Sequence, residues 1–335
     1  MTKKIRVAVL GATGLVGQAM LDCLIARNFP VDQLYPLATA NSAGETIQFG
    51  RRDYEVLDAE TFDFSKADLA FFTAGADASR HFAPRALAAG CRIVDNTSAF
   101  RMDKNVPLVI PEINADTIHD APLIANPNCA TIQLLMALYP IDQRFGISEV
   151  VVSTYQSVSG VGRSGVEALA KQSIGILNSK AVEDSEAFPA GIAFNVIPQI
   201  GTLDEQGYSE EEEKLYQESR KILDRDDLSI HATAVRVPTF FGHAESVFFR
   251  TAQPCDAAAI ETMLSEAAGI KFWPHPSYPM PRYDALESDE VHVGRLRAVH
   301  DDTEAFSFWS VTNNVQKGAA LNSIQIAEVM FGVRT

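Results

Sequence analysis

Ile5-Arg-Val-Ala-Val-Leu10-Gly11-Ala-Thr-Gly14-Leu-Val-Gly17 stands almost at the start of the chain, and its reading sets the architecture. A β-rich apolar run, broken only by Arg6, stops at Gly11, and a helix-forming stretch from Val16 to Arg27 follows. Glycines between a strand and a helix permit a tight turn. They also let backbone N–H groups close on a phosphate at the helix N-terminus. The spacing is G-x-x-G-x-x-G rather than G-x-G-x-x-G, so the context of the loop, more than its regular expression, makes it a dinucleotide-binding turn.

Working outward, Leu34–Ala38, Ala70–Thr73 and Cys91–Asn96 are short apolar runs of the kind buried in parallel sheets. Ser79 is a candidate cap for a helix running to Ala89, with Pro84 inside it and Gly90 ending it. This alternation predicts an α/β fold: a Rossmann-type, doubly wound dinucleotide-binding domain over residues 1–128. Beyond it the texture changes. A helix is expected over about 130–140, a long β pattern at Glu149–Ser159, a helix at Ser164–Ile176 and an irregular excursion over 178–191. Ser209 with Glu212 forms a capping box for a helix reaching Leu223. Further β runs fall at Ile230–Val237, Val247–Thr251, Val291–Leu296 and Phe306–Val311. Residues 129–317 therefore read as an α+β domain with a mostly antiparallel sheet. The last helix, Ala319 to Phe331, looks amphipathic, and residues 318–335 are expected to pack back on the first domain.

Composition narrows the partners. A formal charge of −15 on 335 residues repels nucleic acid and anionic membrane, so neither is an expected partner. In so acidic a chain, arginines and lysines inside motifs carry extra weight as anion ligands. No apolar run is long enough to span a bilayer, and Lys3, Lys4 and Arg6 lead into the glycine loop rather than into an export signal, so the expected location is the cytoplasm. Cys23, Cys91, Cys129 and Cys255 are widely spaced and form no zinc-like pattern with the histidines; no metal site is expected.

Cofactor choice is read about 20 residues past the last glycine, where NAD enzymes commonly place a carboxylate for the ribose. Leu37-Ala-Thr-Ala-Asn41-Ser42-Ala-Gly44 carries none before Glu45. That favours NADP and leaves NAD possible, since no arginine is there to grip a 2′-phosphate.

Asn126-Pro127-Asn128-Cys129-Ala130-Thr131 lies where an apolar run ends and a helix begins. A cysteine at a helix N-terminus meets partial positive charge and free N–H donors, which favour thiolate and stabilise an oxyanion. Cys23, Cys91 and Cys255 read instead as small buried residues. A thiol adding to a carbonyl needs an acid/base partner. His243, behind Gly242 in Arg236-Val-Pro-Thr-Phe-Phe-Gly242-His243-Ala-Glu245-Ser, is the best placed of the seven histidines.

Taken together, Gly11–Gly17, Thr97-Ser-Ala-Phe-Arg101, Asn126–Thr131, Tyr155-Gln156-Ser-Val-Ser-Gly160, the 209–223 helix, Arg236–Ser246 and Asn314-Val-Gln-Lys317-Gly resemble the aspartate-semialdehyde dehydrogenase family. The resemblance implies an NADP-dependent interconversion of 4-phospho-L-aspartate and L-aspartate 4-semialdehyde plus phosphate, in aspartate-family amino-acid biosynthesis. It implies Cys129 as the nucleophile, His243 as the acid/base and Gln156 orienting the substrate. Arg236 and Glu211 would hold the amino-acid end, and Arg101 and Lys214 the phosphate. Gly11, Thr13, Gly14, Leu15, Val16, Asn41, Ser42 and Asn314 would contact the cofactor, and the enzyme would be a homodimer, with residues 129–317 as its catalytic, substrate-binding and dimerisation domain. Asn41 stands where NADP-binding members usually carry an arginine, and Gln316 where an arginine is common.

The chemistry of such a substrate agrees with these residue types: a carboxylate and a phosphate call for cations at two ends, and an ammonium calls for an anion. In the oxidative direction Cys129 would add to the aldehyde, hydride would leave to give a thioester, and phosphate would release acyl phosphate. Two alternatives use the same motifs: a reductase of the N-acetyl-glutamyl-phosphate type, and a catalytically silent relative that only binds nucleotide. Glu211 speaks against the first, because that substrate has no free ammonium. Intact Cys129 and His243 speak against the second.

Overall fold

Alternate residues of the first strand, β1 (Ile5–Leu10), face two different apolar layers. Ile5, Val7 and Val9 pack with Met20, Leu21 and Leu24 of helix α1 (Leu15–Ala26). Ala8 and Leu10 pack with Phe82, Ala83 and Ala86 of α2 (Ala76–Ala88). A strand buried on both faces requires helices on both sides, which is the doubly wound arrangement. The chain continues through β2 (Val31–Ala38), the hairpin of β3 (Thr46–Phe49) and β4 (Arg52–Glu55), β5 (Leu57–Asp58), β6 (Leu69–Phe72), β7 (Arg92–Asp95), α3 (Pro111–Asn114) and β8 (Leu123–Ala125). Six of these strands form a parallel sheet in the order β5-β2-β1-β6-β7-β8. The order reverses beside β1, and the crevice beyond the carboxyl ends of β1 and β6 is where such sheets bind ligands. Gly11 and Thr73 sit there, and the Thr73 hydroxyl donates to the Leu10 carbonyl at 2.9 Å.

This computed structural model describes residues 4–180 and 185–333. It divides into two units, Met1–Asn128 with Ala319–Thr335, and Cys129–Gly318. In the first unit the C-terminal helix (Leu321–Phe331) lies in the same apolar layer as α1, and Arg27 grips Glu328 with two hydrogen bonds of 2.8 and 2.6 Å. That helix is buried around most of its circumference rather than along one stripe. Its polar residues are partnered: Asn322 donates to the Val109 carbonyl and to Asn126. A second difference concerns α2. Ser79 does not cap it, because the helix begins three residues earlier behind Gly75 (φ 95°), and the Ser79 hydroxyl is buried, donating to Asp95 at 3.0 Å.

In the second unit α4 (Cys129–Phe145) leads into β9 (Ile147–Gln156), α5 (Arg163–Leu177), α6 (Glu210–Leu223), β10 (Ser229–Arg236) and β11 (His243–Thr251). Then come α7 (Ala257–Glu266), β12 (Ile270–Trp273), β13 (Val291–Ala298) and β14 (Ala305–Thr312). The strands order as β10-β9-β11-β14-β13-β12. The three inner pairings are antiparallel and the two outer ones, β10 with β9 and β12 with β13, are parallel. The sheet is therefore mixed, with the expected antiparallel centre. Helices α4, α6 and α7 cover one of its faces. α4 runs past Pro140 to Phe145, further than the expected end at about 140. Of the 178–191 excursion, residues 181–184 lie outside the described residues; in the remainder Ala187 and Phe188 pack against Ala168 and Leu169 of α5.

Candidate active site

Three neighbouring strands of the second unit come together at one end of its sheet. β9 and β10 run parallel and finish opposite one another, Gln156 beside Arg236. β11 runs antiparallel to β9 and begins there, with His243. Side chains alternate along a strand, so Val152, Thr154 and Gln156 are buried while Val151 and Tyr155 are exposed. Gln156 and Thr154 thus point to the helix-covered face, where the Gln156 amide donates to the Thr154 hydroxyl at 3.3 Å.

Cys129 is the first residue of α4 and is partly exposed. Gly318 lies against it: a Cβ at 318 would stand 2.8 Å from the Cys129 Cβ, so only glycine fits. Arg236 is buried and donates from Nη1 to the Ser157 carbonyl at 2.7 Å. Burial lowers its pKa, and the negative charges of Glu211 and of Cys129 offset part of that. The guanidinium therefore lies within electrostatic reach of both the thiolate position and a buried carboxylate.

Glu211 shows how packing sorts one acidic run. Glu212 closes the capping box with Ser209 and accepts from the Ala234 amide at 2.9 Å, which fastens α6 to β10. Glu210 is exposed and bonds Thr202, and Glu213 bonds Gln217 on the outer surface. Glu211 alone turns inward: its side chain is 6% exposed and pairs with Lys214 at 3.1 Å, three residues on.

His243 is fully buried. Burial first, then the charge of Arg236, bring its pKa down to about 3, with Glu211 and the Gly242 carbonyl offsetting only part. Its Nδ1 accepts from the Ser157 backbone N–H at 3.1 Å, with the Ser157 hydroxyl also 3.1 Å away. Asn314 closes the arrangement: its Oδ1 accepts from the Gly242 N–H at 3.0 Å and lies 3.2 Å from the hydroxyls of Ser157 and Ser159. Its Nδ2 donates to Ser159 at 3.0 Å. The Asn314 side chain is thus engaged behind the histidine rather than turned toward a ligand. Ser157, Ser159 and Gly160 are site residues that the sequence reading quoted within a motif but did not single out.

The other candidates belong to the first unit. Gly11 adopts φ 89°, and a Cβ there would meet Thr73 Oγ1 at 2.7 Å. A Cβ on Gly17 would come within 2.2 Å of the Gly11 carbonyl, so the helix packs against the turn only because that position is bare. Gly14 caps α1 with no side chain in the way, leaving the first-turn N–H groups around Leu15 and Val16 able to meet a phosphate. Asn41 and Ser42 lie in the turn after β2, with the Ser42 amide bonded to the Thr39 carbonyl. Arg101 is mostly buried and donates from Nη2 to the Asn96 carbonyl at 2.9 Å. Thus Cys129, Gln156, Glu211, Lys214, Arg236, His243 and Asn314 belong to one unit, and Arg101 and the glycine loop to the other.

Comparison with known proteins follows the same division. Residues 6–121 match the semialdehyde dehydrogenase NAD binding domain, and residues 138–317 the semialdehyde dehydrogenase dimerisation domain. Aspartate-semialdehyde dehydrogenase from Shewanella violacea is 47% identical over 335 residues, covering 99% of each chain. The crystal structure of aspartate semialdehyde dehydrogenase II from Vibrio cholerae complexed with ASA superposes with a TM-score of 0.97 at 42% identity, covering 100% of both chains. That of the Candida albicans aspartate semialdehyde dehydrogenase with NADP superposes with a TM-score of 0.77 at 25% identity over 98% of each. Likeness this close, extending from the glycine loop through both domains, makes the chain a member of the aspartate-semialdehyde dehydrogenase family.

Proposed function

We propose that the chain is an aspartate-semialdehyde dehydrogenase that interconverts 4-phospho-L-aspartate and L-aspartate 4-semialdehyde plus phosphate through a thioester on Cys129. The observation that carries this reading is the convergence of Gln156, Arg236 and His243 at adjoining strand ends, with a thiol at the head of α4 whose charge reaches Arg236. The helix N-terminus and the guanidinium both favour thiolate over thiol.

In the biosynthetic direction the Cys129 sulfur adds to the acyl carbon and the C–O bond to phosphate breaks, leaving the thioester. Hydride addition at that carbon gives a tetrahedral alkoxide, which collapses by breaking the C–S bond to release aldehyde and thiolate. Gln156 orients the carbonyl, and His243 is the acid/base partner. Arg236 offers a two-pronged donor set for the α-carboxylate. Glu211, held inward with Lys214, supplies the anion for the ammonium. Lys214, with Arg101, receives the phosphate. NADPH, with NADH as the alternative, would supply the hydride when bound and leave as NADP or NAD. The bare turn at Gly11–Gly17, with Thr13, Gly14, Leu15 and Val16, suits its pyrophosphate. Asn41 and Ser42, in a stretch with no carboxylate before Glu45, favour NADP over NAD, and Asn314 would contact the cofactor.

The second unit is the natural seat of a homodimer. It matches a dimerisation domain, and its sheet leaves Val151 and Tyr155 exposed on the face away from the helices. Among the described residues no helix is long and apolar enough to cross a membrane. A cytoplasmic location accords with a nicotinamide-dependent biosynthetic step. The test is phosphate-dependent reduction of NADP and of NAD with aspartate semialdehyde, comparing wild type with Cys129→Ser. The expected result is a loss of at least ~10³-fold in kcat, because serine lacks the thiol's acidity; activity surviving the substitution defeats the thioester route.

A further inference from the structure

Directly opposite residues of paired strands share a face of the sheet, and this orders the buried polar groups under the site into rows. His243 lies opposite Thr312 of β14, and Gln156 ends the neighbouring strand β9. One row down, two residues along each strand, Glu245 stands between Thr154 of β9 and Ser310 of β14. Thr154, Glu245 and Ser310 are all fully buried.

This lower row is tied to the catalytic groups at both ends. On one side the Gln156 amide donates to the Thr154 hydroxyl at 3.3 Å. On the other, the Ser310 hydroxyl donates to Glu245 Oε2 at 3.4 Å and accepts from Gln133 Nε2 at 2.9 Å. Gln133 is buried on α4 four residues after Cys129, one turn along the same face of the helix. Glu245 Oε1 and Gln133 Oε1 have no hydrogen-bond partner among the described residues. An ionised carboxylate would leave both oxygens without a donor, whereas a proton on Glu245 supplies one. Burial favours that neutral form, and only the Ser310 hydrogen bond opposes it.

We infer that Glu245 is a positioning residue of the active site: standing between Thr154 and Ser310, it holds the row that orients Gln156 and, through Ser310 and Gln133, the helix turn that carries Cys129. This rests on the proposed thioester chemistry and adds to it a residue that acts only through others. An apolar side chain at 245 would fill the space without the cost of desolvating an acid. What the acid provides is direction, because a polar row in a dry interior has one arrangement that leaves the fewest donors and acceptors unpaired. Gln156 and the head of α4 are then fixed from below, on the side away from the substrate.

The test compares Glu245→Leu, Glu245→Gln and Ser310→Ala with the wild-type full-length enzyme at pH 7. Three quantities are measured: the melting temperature, kcat and KM in the phosphate-dependent reaction, and the rate at which iodoacetamide alkylates Cys129 in resting enzyme, followed by peptide mass. Glu245→Leu is expected to melt no lower than wild type, yet to lose about 10–10²-fold in kcat with KM near wild type, and to alkylate more slowly. Glu245→Gln keeps a neutral hydrogen-bonding head on a side chain of the same length and should restore both rates. Ser310→Ala opens the same row with little change in volume and should lose kcat and alkylation rate in the same way; it decides the matter should the leucine variant fail to fold. Wild-type kcat or wild-type alkylation in the row-breaking variants overturns the inference, as does a glutamine variant as impaired as the leucine one. Because alkylation needs neither substrate nor turnover, its failure is distinguishable from activity surviving in Cys129→Ser.

Discussion

Gly160 is the floor on which the Arg236 guanidinium rests: a Cβ at 160 would stand 2.8 Å from Nη1, closer than such atoms approach. Gly160→Ala should therefore push the guanidinium off the Ser157 carbonyl while leaving the sheet intact. A displacement of this kind at a substrate-positioning group costs on the order of 10²-fold in kcat/KM. Steady-state kinetics alongside a thermal melt would check it; unchanged kinetics would mean that Arg236 is not needed at that spot.

Gly17 is constrained more severely, because an alanine methyl would lie 2.2 Å from the Gly11 carbonyl. The obstacle is backbone, so either α1 or the turn must move. Gly17→Ala is expected to cost ~1–3 kcal/mol of stability and to weaken NADP binding by distorting the phosphate-facing amides. Urea denaturation and fluorescence titration with NADPH measure the two effects. Wild-type values in both would remove the case for a cofactor turn at Gly11–Gly17.

Two buried titratable groups act on stability in opposite directions. Burial, aided by Arg236, holds His243 down to about 3, so the unfolded chain binds the extra proton first and stability is lost as pH falls below the ordinary value of 6.5. Glu245 is fully buried, and its carboxyl is pushed well above 4.5 by burial, with only Ser310 opposing at 3.4 Å. The fold therefore prefers it protonated, and stability is lost as pH rises past 4.5. Glu245→Gln should raise the melting temperature at pH 7, with the gain shrinking toward pH 4.5. His243→Gln should flatten the loss of stability below pH 6.5. Parallel pH profiles for wild type and either variant would contradict the assigned charge states.

Arg27 and Glu328 tie α1 to the C-terminal helix, with side chains only 20% and 5% exposed. Removing one member strands the other charge away from water. Arg27→Ala should destabilise by roughly 3 kcal/mol, and adding Glu328→Gln should restore part of that. Equilibrium unfolding of the two variants and the double variant gives the coupling directly. No recovery in the double variant would show that packing of the arginine stem, not charge, is what α1 needs.

Local sequence determined a good deal here. A strand, a glycine turn and a helix in immediate succession dictate the first unit, because each step is a backbone requirement that neighbours in sequence satisfy. The Ser209–Glu212 capping box is equally local, and so is the thiol at the head of α4. What the sequence could not show depends on contacts between distant residues. Nothing local distinguishes Glu211 from Glu210 and Glu213; only the docking of α6 on β10, fastened by Glu212, decides which carboxylate turns inward. Ser79 satisfies a capping rule that Gly75 overrides through its left-handed backbone, and the serine finds Asp95 instead. The pairing that places Gln156 beside Arg236 spans 80 residues, and the hydrogen bond from Ser157 that sets the His243 ring spans 86. A chain read in order shows which groups are present; what faces the His243 ring is fixed only when β9 and β11 close side by side and bring the Ser157 amide to Nδ1.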